Sequence, residues 1–235
     1  MNKIDVLAFG AHPDDVELGI GGTLAKLIKQ GLNVGIIDLT RGEMGSRGTV
    51  EERLEEAKNS ASILGVSIRE TLALPDTDIR INKEQKLPLI KIIRKYKPKM
   101  ILATMPDDRH PDHHNAHFLI REANYFAGVH SINTAQQPYR CPLLLYYYPY
   151  YEINTPDFII DISDYYETKI EALNAYRSQF FNPNYVGPET FISTERFLKS
   201  IQDRCLYWGS KINVMYGETL YKKEPIPINL EYLLK

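Results

Sequence analysis

Through residue 105 the chain repeats one pattern, a short run apolar at nearly every position followed by a longer segment apolar at every third or fourth. The runs are IDVLAFGA (4–11), NVGIIDLT (33–40), IRETLAL (68–74) and KMILATM (99–105). Between them GGTLAKLIKQG (21–31), VEERLEEAKNSASILG (50–65) and PLIKIIRKYK (88–97) carry helical spacing. Thr49 and Glu52 stand at capping-box spacing, and Gly31 and Gly65 follow as stops. Strands without polar alternation are covered on both faces, and strands alternating with helices form parallel sheets. Right-handed crossovers then predict a doubly wound, Rossmann-like α/β fold with a mostly parallel sheet in the order 3-2-1-4-5. In that order strands 1 and 4 are neighbours at the switch point, where a crevice opens beyond their carboxyl ends.

Beyond residue 140 the alternation loosens. LLLYYYPYY (143–151) and DFIIDIS (157–163) read as strands, 166–180 and 196–210 as helices, and an irregular tail holds Pro225 and Pro227. No linker, repeat or low-complexity stretch interrupts 1–235, which predicts one domain with a less regular C-terminal third. A formal net charge of -2 gives no reason to expect nucleic acid or a membrane surface as partner. The N-terminal apolar run is too short for a signal peptide and no stretch reaches the ~20 apolar residues of a membrane span. Cys141 and Cys205 are far apart, without a CxxC, so no disulfide framework or thiolate zinc site is expected, and the reading is cytoplasmic.

Strand 1 runs into Ala11-His12-Pro13-Asp14-Asp15, strand 4 into PDDRHPDHHNAH. Two adjacent carboxylates repel, and a turn needs only one. Four of the six histidines fall in the second stretch, as His110, His113, His114 and His117, accompanied by Asp107, Asp108 and Asp112. One His-Pro-Asp after a strand is ordinarily just a turn; two, at adjoining strand ends, point to a divalent metal between them. Imidazoles with a carboxylate suit zinc, and three protein ligands with an open fourth position mark a catalytic site. His12, one of Asp14 or Asp15, and one of His110 or His113 complete such a set, and the spare carboxylate is then a general base. His114 and His117 read as surface or capping residues of the next helix, and His130 is uninformative. Gly19, Gly21 and Gly22 fail the dinucleotide fingerprint and read as close helix–sheet packing. The glycine-rich loop 41–48 is either a solvated loop or a lid over substrate.

These residues resemble the LmbE/PIG-L zinc deacetylases. AHPDD and HPDH match that family's paired signatures; Thr40-Arg-Gly-Glu43-Met-Gly45, Arg53-Leu-Glu-Glu-Ala57 and Lys169…Ala172-Leu173…Ser178-Gln179 resemble its T-x-G-E-x-G, R-x-x-E-A and K-x-x-A-L…S-Q segments. Tyr176 stands where many members carry histidine. The resemblance, strongest to the bacillithiol biosynthesis deacetylases, implies hydrolysis of the N-acetyl group of N-acetylglucosaminyl malate. It implies one Zn2+ per chain on His12, Asp15 and His113, a site type in which Fe2+ can replace zinc, and a homo-oligomer, a hexamer in related proteins. It makes Asp14 the general base and His110 the group that stabilises the oxyanion or protonates the amine, with Asp112 orienting His110. The malate carboxylates call for arginines, for which Arg53, Arg109 and Arg140 are candidates, with Glu43 on the substrate loop. Two other readings compete. Asp112-His113-His114 is a literal DHH, as in two-metal phosphoesterases, and a non-catalytic zinc or sugar-binding centre uses the same ligands. The tyrosines of 146–151 read as core or subunit interface.

Overall fold

The computed structural model describes residues 3–151 and 154–225. Five parallel strands, β1 (Val6–Gly10), β2 (Val34–Asp38), β3 (Ile68–Thr71), β4 (Met100–Thr104) and β5 (Leu143–Tyr147), form a sheet in the order β3-β2-β1-β4-β5. Every residue of β1 and β2 is buried, as strands covered on both faces must be. On the sheet lie α1 (Asp15–Lys29), α2 (Val50–Leu64), α3 (Lys83–Tyr96) and α4 (Pro111–Ala127). β1 pairs directly with β4, so the turns that leave them adjoin. This is the doubly wound arrangement expected from the periodicity.

Three helices differ from their expected limits. α1 begins at Asp15 rather than at 21, because Asp14 turns the chain straight into it. Its glycines serve packing: a Cβ on Gly19 would stand 2.2 Å from the Tyr147 ring. α1 also breaks at Ile20, and the released Leu18 carbonyl accepts from Lys169 (2.8 Å) and Arg204 (2.7 Å). α3 starts before Pro88 because Asn82 accepts from the Gln85 amide and caps it. The helix expected over 166–180 stops early, as α5 (Tyr166–Asn174). α2 has its Thr49–Glu52 capping box and ends at left-handed Gly65, as read.

Beyond the main sheet, β6 (Phe158–Asp161) pairs antiparallel with β7 (Gly217–Leu220), a strand in what the sequence presents as irregular tail; Pro227 lies outside the described residues. α6 (Glu195–Lys211) packs against β7. Tyr146, Tyr147 and Tyr148 are fully buried core residues. The later family segments act as fasteners. Glu56 accepts from the amide and hydroxyl of Ser178 (both 2.7 Å), Gln179 donates to the Arg47 carbonyl (2.7 Å), and Lys169 pairs with buried Glu218. Tyr176 donates to Glu17 (2.9 Å), within a buried cluster that includes Arg69 and Asp38.

Candidate metal centre and active site

The two motif turns meet at the carboxyl end of the sheet. After β1, Asp14 adopts φ 112, a left-handed conformation that is strained for a residue with a Cβ. That turn sends Asp15 inward as the first residue of α1, where its Oδ2 accepts from the His12 amide at 2.8 Å. After β4 the chain reaches His110, which caps α4: its Nδ1 accepts from the Asp112 amide at 3.2 Å, with Pro111 at the first helical position. A neutral His110 therefore carries its proton on Nε2. One turn into α4, His113 has Nε2 3.1 Å from Asp15 Oδ1 and Nδ1 3.0 Å from Asp108 Oδ1.

Asp15 Oδ1 and both ring nitrogens of His113 are buried without a hydrogen bond. Such orphans are costly, and an ion shared by Asp15 Oδ1 and His113 Nε2 would relieve those two, leaving Nδ1 to face Asp108. His12 Nδ1 lies 3.5 Å from Asp15 Oδ2. Donors roughly 2.1 Å from a tetrahedral metal stand roughly 3.4 Å apart, and the contacts of Asp15 with His113 and with His12 are both of that order. The rings of His12, His110 and His113 lie 4.7 to 5.5 Å from one another, and Tyr150 stacks on His113 at 5.4 Å. Among the described residues two trios have donor atoms within 4.8 Å of one another, His12/His110/His113 and His12/Asp76/Asp112.

Asp112 does not face the group the sequence reading gave it. Its carboxylate accepts from the Thr77 amide (2.8 Å) and lies 3.2 Å from His12 Nε2; only its backbone N–H meets His110. As an early residue of a capped turn, its side chain points back across the crevice to the end of β3. There stands Asp76, 3.1 Å from His12 Nε2, a site neighbour that no motif marked. The signal for it was available: LALPDTD leaves the third strand at the same edge of the sheet.

Asp14 lines a cavity of about 190 Å³ together with His12, Arg53, Arg109, His110 and Tyr150. Arg53 is buried and occupied, donating to the carbonyls of Gly42 and Pro13 (both 3.0 Å) and approaching Asp14 Oδ2 at 3.4 Å. Burial drives the Asp14 carboxyl up, the Arg53 charge pulls it down, neighbouring Asp15 lifts it again, and it comes to about 7. Burial likewise lowers His110, helped by the charges of His12 and His113. Burial opposes a charge on His113, but the carboxylates of Asp15 and Asp108 outweigh it and bring it to about 9. A cation is thus favoured between these acids.

The remaining candidates divide. Arg109 is exposed at the cavity and lies over Phe191 (4.3 Å) and Tyr150 (5.6 Å), pairing with no carboxylate among the described residues. Arg140 is not a site residue: it donates to the Tyr125 carbonyl and covers the Tyr125 ring near the far end of α4. Glu43 does not line the cavity and braces the loop, accepting from the amides of Asp76 (3.0 Å) and Arg41 (3.2 Å). His114 is exposed, but His117 is fully buried beside Tyr146 and bonds the Thr104 carbonyl (2.8 Å), so it is a core histidine and not a surface one. Arg47, unmarked by any motif role, fastens the loop to the carbonyls of Ser178 and Pro188.

Fold and site together define a doubly wound α/β protein with a buried histidine–carboxylate cluster at its switch point whose donors could hold a metal ion. Residues 7–124 match the PIG-L family, described as GlcNAc-PI de-N-acetylase, and the chain belongs to that family of metal-dependent amidohydrolases. It is similar to diacetylchitobiose deacetylase of Thermococcus kodakarensis, 34% identical over 228 residues, 91% of this chain and 80% of that protein. A probable N-acetyl-alpha-D-glucosaminyl L-malate deacetylase 2 of Bacillus anthracis is 25% identical over 192 residues, 76% of this chain and 83% of that one. Among solved structures, a conserved protein of Thermus thermophilus superposes with a TM-score of 0.87 at 36% identity, covering 96% of this chain and 97% of that one. No helix among the described residues is long and apolar enough to cross a membrane.

Proposed function

We propose that the protein is a metal-dependent deacetylase that removes acetate from the terminal N-acetylglucosamine of a small conjugate. The observation that carries this is Asp14, a strained, buried carboxyl at the cavity beside an unsatisfied Asp15–His113 pair. His12, Asp15 and His113 hold the ion, zinc by the chemistry of the donors, with iron able to replace it. That ion supplies Lewis acidity to the acetamide carbonyl and to the attacking water.

The chain's own groups complete the reaction. Asp14 takes the proton of the water as the water oxygen attacks the carbonyl carbon, a transfer suited to a carboxylate that lines the cavity next to the metal ligands. Arg53 fixes that carboxylate and the Pro13 carbonyl beside it. Neutral His110, its Nδ1 engaged by the Asp112 amide, presents Nε2–H to the oxyanion. Asp14 returns the proton to the amine nitrogen as the C–N bond breaks, leaving acetate and a free amino sugar.

Diacetylchitobiose is the preferred substrate class on similarity, since the chain is more alike to a diacetylchitobiose deacetylase than to a malate-conjugate enzyme. The N-acetylglucosaminyl malate of bacillithiol synthesis is a second reading, favoured by Arg109, an exposed cavity arginine that pairs with no carboxylate among the described residues and, unlike Arg53 and Arg47, is not held by backbone carbonyls there. A cytoplasmic homo-oligomer, a hexamer by the resemblance drawn from the sequence, is part of the same proposal. The test is acetate and amine release by the zinc-loaded protein from diacetylchitobiose, N-acetylglucosaminyl malate and free N-acetylglucosamine. Release from either conjugate well above the free sugar is expected; no acetate from all three overturns the reading.

A further inference from the structure

Asp76 sits in a turn where an aspartate commonly bonds its own backbone. Here neither oxygen does so. Oδ1 lies 3.1 Å from His12 Nε2, and Oδ2 accepts from the Met44 amide at 2.8 Å, partners 64 and 32 residues away in sequence. The Asp76 amide in turn donates to Glu43 (3.0 Å), so two bonds join this turn to the glycine-rich loop. The turn itself is held in an unusual shape, with Ala73 and Thr77 both at positive φ (52 and 65), and the Thr77 amide is tied to Asp112. Met44, Gly45 and Ser46 of the loop line the same cavity as Asp14 and His110.

We propose that Asp76 is a positioning residue that couples the 41–48 loop to the metal ligand His12. With the carboxylates of Asp76 and Asp112 both on Nε2, the ring keeps its proton there and leaves the Nδ1 lone pair facing Asp15. The same Asp76 carboxylate holds the Met44 amide. A loop moved by substrate therefore pulls on the group that orients the metal ligand, and a bound metal, by fixing the ring, fixes the loop. The inference rests on His12 being a metal ligand.

The experiment measures zinc affinity by chelator competition for the full chain, for Asp76→Asn and Asp76→Glu, and for Asp78→Asn as control, with amide exchange of Met44 followed with and without zinc. Asn leaves one acceptor oxygen for two donors, so affinity drops about 10- to 100-fold, as for other residues that orient metal-ligating histidines. Glu restores most of the loss because it keeps the carboxylate, Asp78→Asn changes nothing, and zinc slows Met44 exchange in the native chain but not in Asp76→Asn. Unchanged affinity in Asp76→Asn, or a Glu variant worse than Asn, overturns the proposal, the second by showing that Asp76 acts through packing alone. A Met44 amide indifferent to zinc in the native chain removes the coupling. Two zinc ions per chain, falling to one in Asp76→Asn, overturns it in favour of a second ion on the His12/Asp76/Asp112 trio. A native chain that binds no zinc fails the metal reading itself, an outcome distinct from all of these.

Discussion

Asp15 Oδ1 and His113 Nε2 face each other at 3.1 Å in a fully buried setting, and neither makes a hydrogen bond. One residue opens α1 and the other lies in the first turn of α4, so this contact joins the two halves of the sheet at its switch point.

If that pair holds the ion, metal and stability are linked. Zinc at a hundredfold excess over its Kd is worth about 2.7 kcal/mol, and thus raises the melting temperature of a chain this size by roughly 5–10 °C. In Asp15→Asn and His113→Ala the rise disappears. Differential scanning with and without zinc measures it; an unreduced rise in either variant places the ion elsewhere.

Asp14→Asn separates chemistry from binding. The variant retains zinc and its melting shift but loses about 10²- to 10⁴-fold in kcat, the range for a lost general base. Since base action needs the ionised carboxylate, native activity falls as pH drops through the Asp14 pKa.

The same carboxyl carries a stability signature in the metal-free chain. Its folded pKa, about 7, is raised above the ordinary value of 3.8, so its contribution is fully present below that ordinary value and is lost as pH rises toward 7. Asp14→Asn, which mimics the protonated form, melts higher than the native metal-free chain at pH 8 and converges with it near pH 4. Equal melting at both pH values would mean that Asp14 is not held as described. Arg53→Ala acts on the acid limb of activity: removing the cation beside Asp14 moves that limb to higher pH.

His117 gives an independent pH test in the core. Burial holds it down to about 4, and the unfolded chain titrates near 6.5. A depressed histidine contributes stability that is whole above 6.5 and is lost as pH falls through 4, on the order of 3 kcal/mol. His117→Gln therefore loses less stability than the native chain between pH 6.5 and 4, as read from urea midpoints.

Arg109→Ala distinguishes the two conjugates. An exposed guanidinium over two aromatic rings can meet a carboxylate but contributes little to a neutral sugar. KM for N-acetylglucosaminyl malate should rise about tenfold or more, with diacetylchitobiose changing less than about threefold. Equal effects on both remove Arg109 from anion recognition.

The sheet order, the α2 capping box and the meeting of the two His-Pro-Asp turns were legible because each follows from local periodicity plus one handedness rule. Residues whose meaning depends on a distant partner were not. No motif marks Asp76, which meets His12 only through the shape of the turn that follows β3, and Asp112 reads as a neighbour of His110 until the capped turn points it at His12. His117 and His114 look alike in sequence, yet only one falls on the face of α4 turned to the sheet. Arg140 matched the chemistry of a malate site but is carried to the far end of α4. β7 escaped because four residues without clear alternation acquire strand character only by pairing with β6.

Acetate release from diacetylchitobiose is the measurement to make first, run on one preparation stripped with a chelator and then reloaded with zinc, with Asp14→Asn alongside. Acetate and free amine in equal amounts, abolished by stripping, restored by zinc and absent from the metal-loaded Asp14→Asn variant, is the expected result. Turnover that survives stripping, or a fully active Asp14→Asn, would contradict a metal site worked by Asp14.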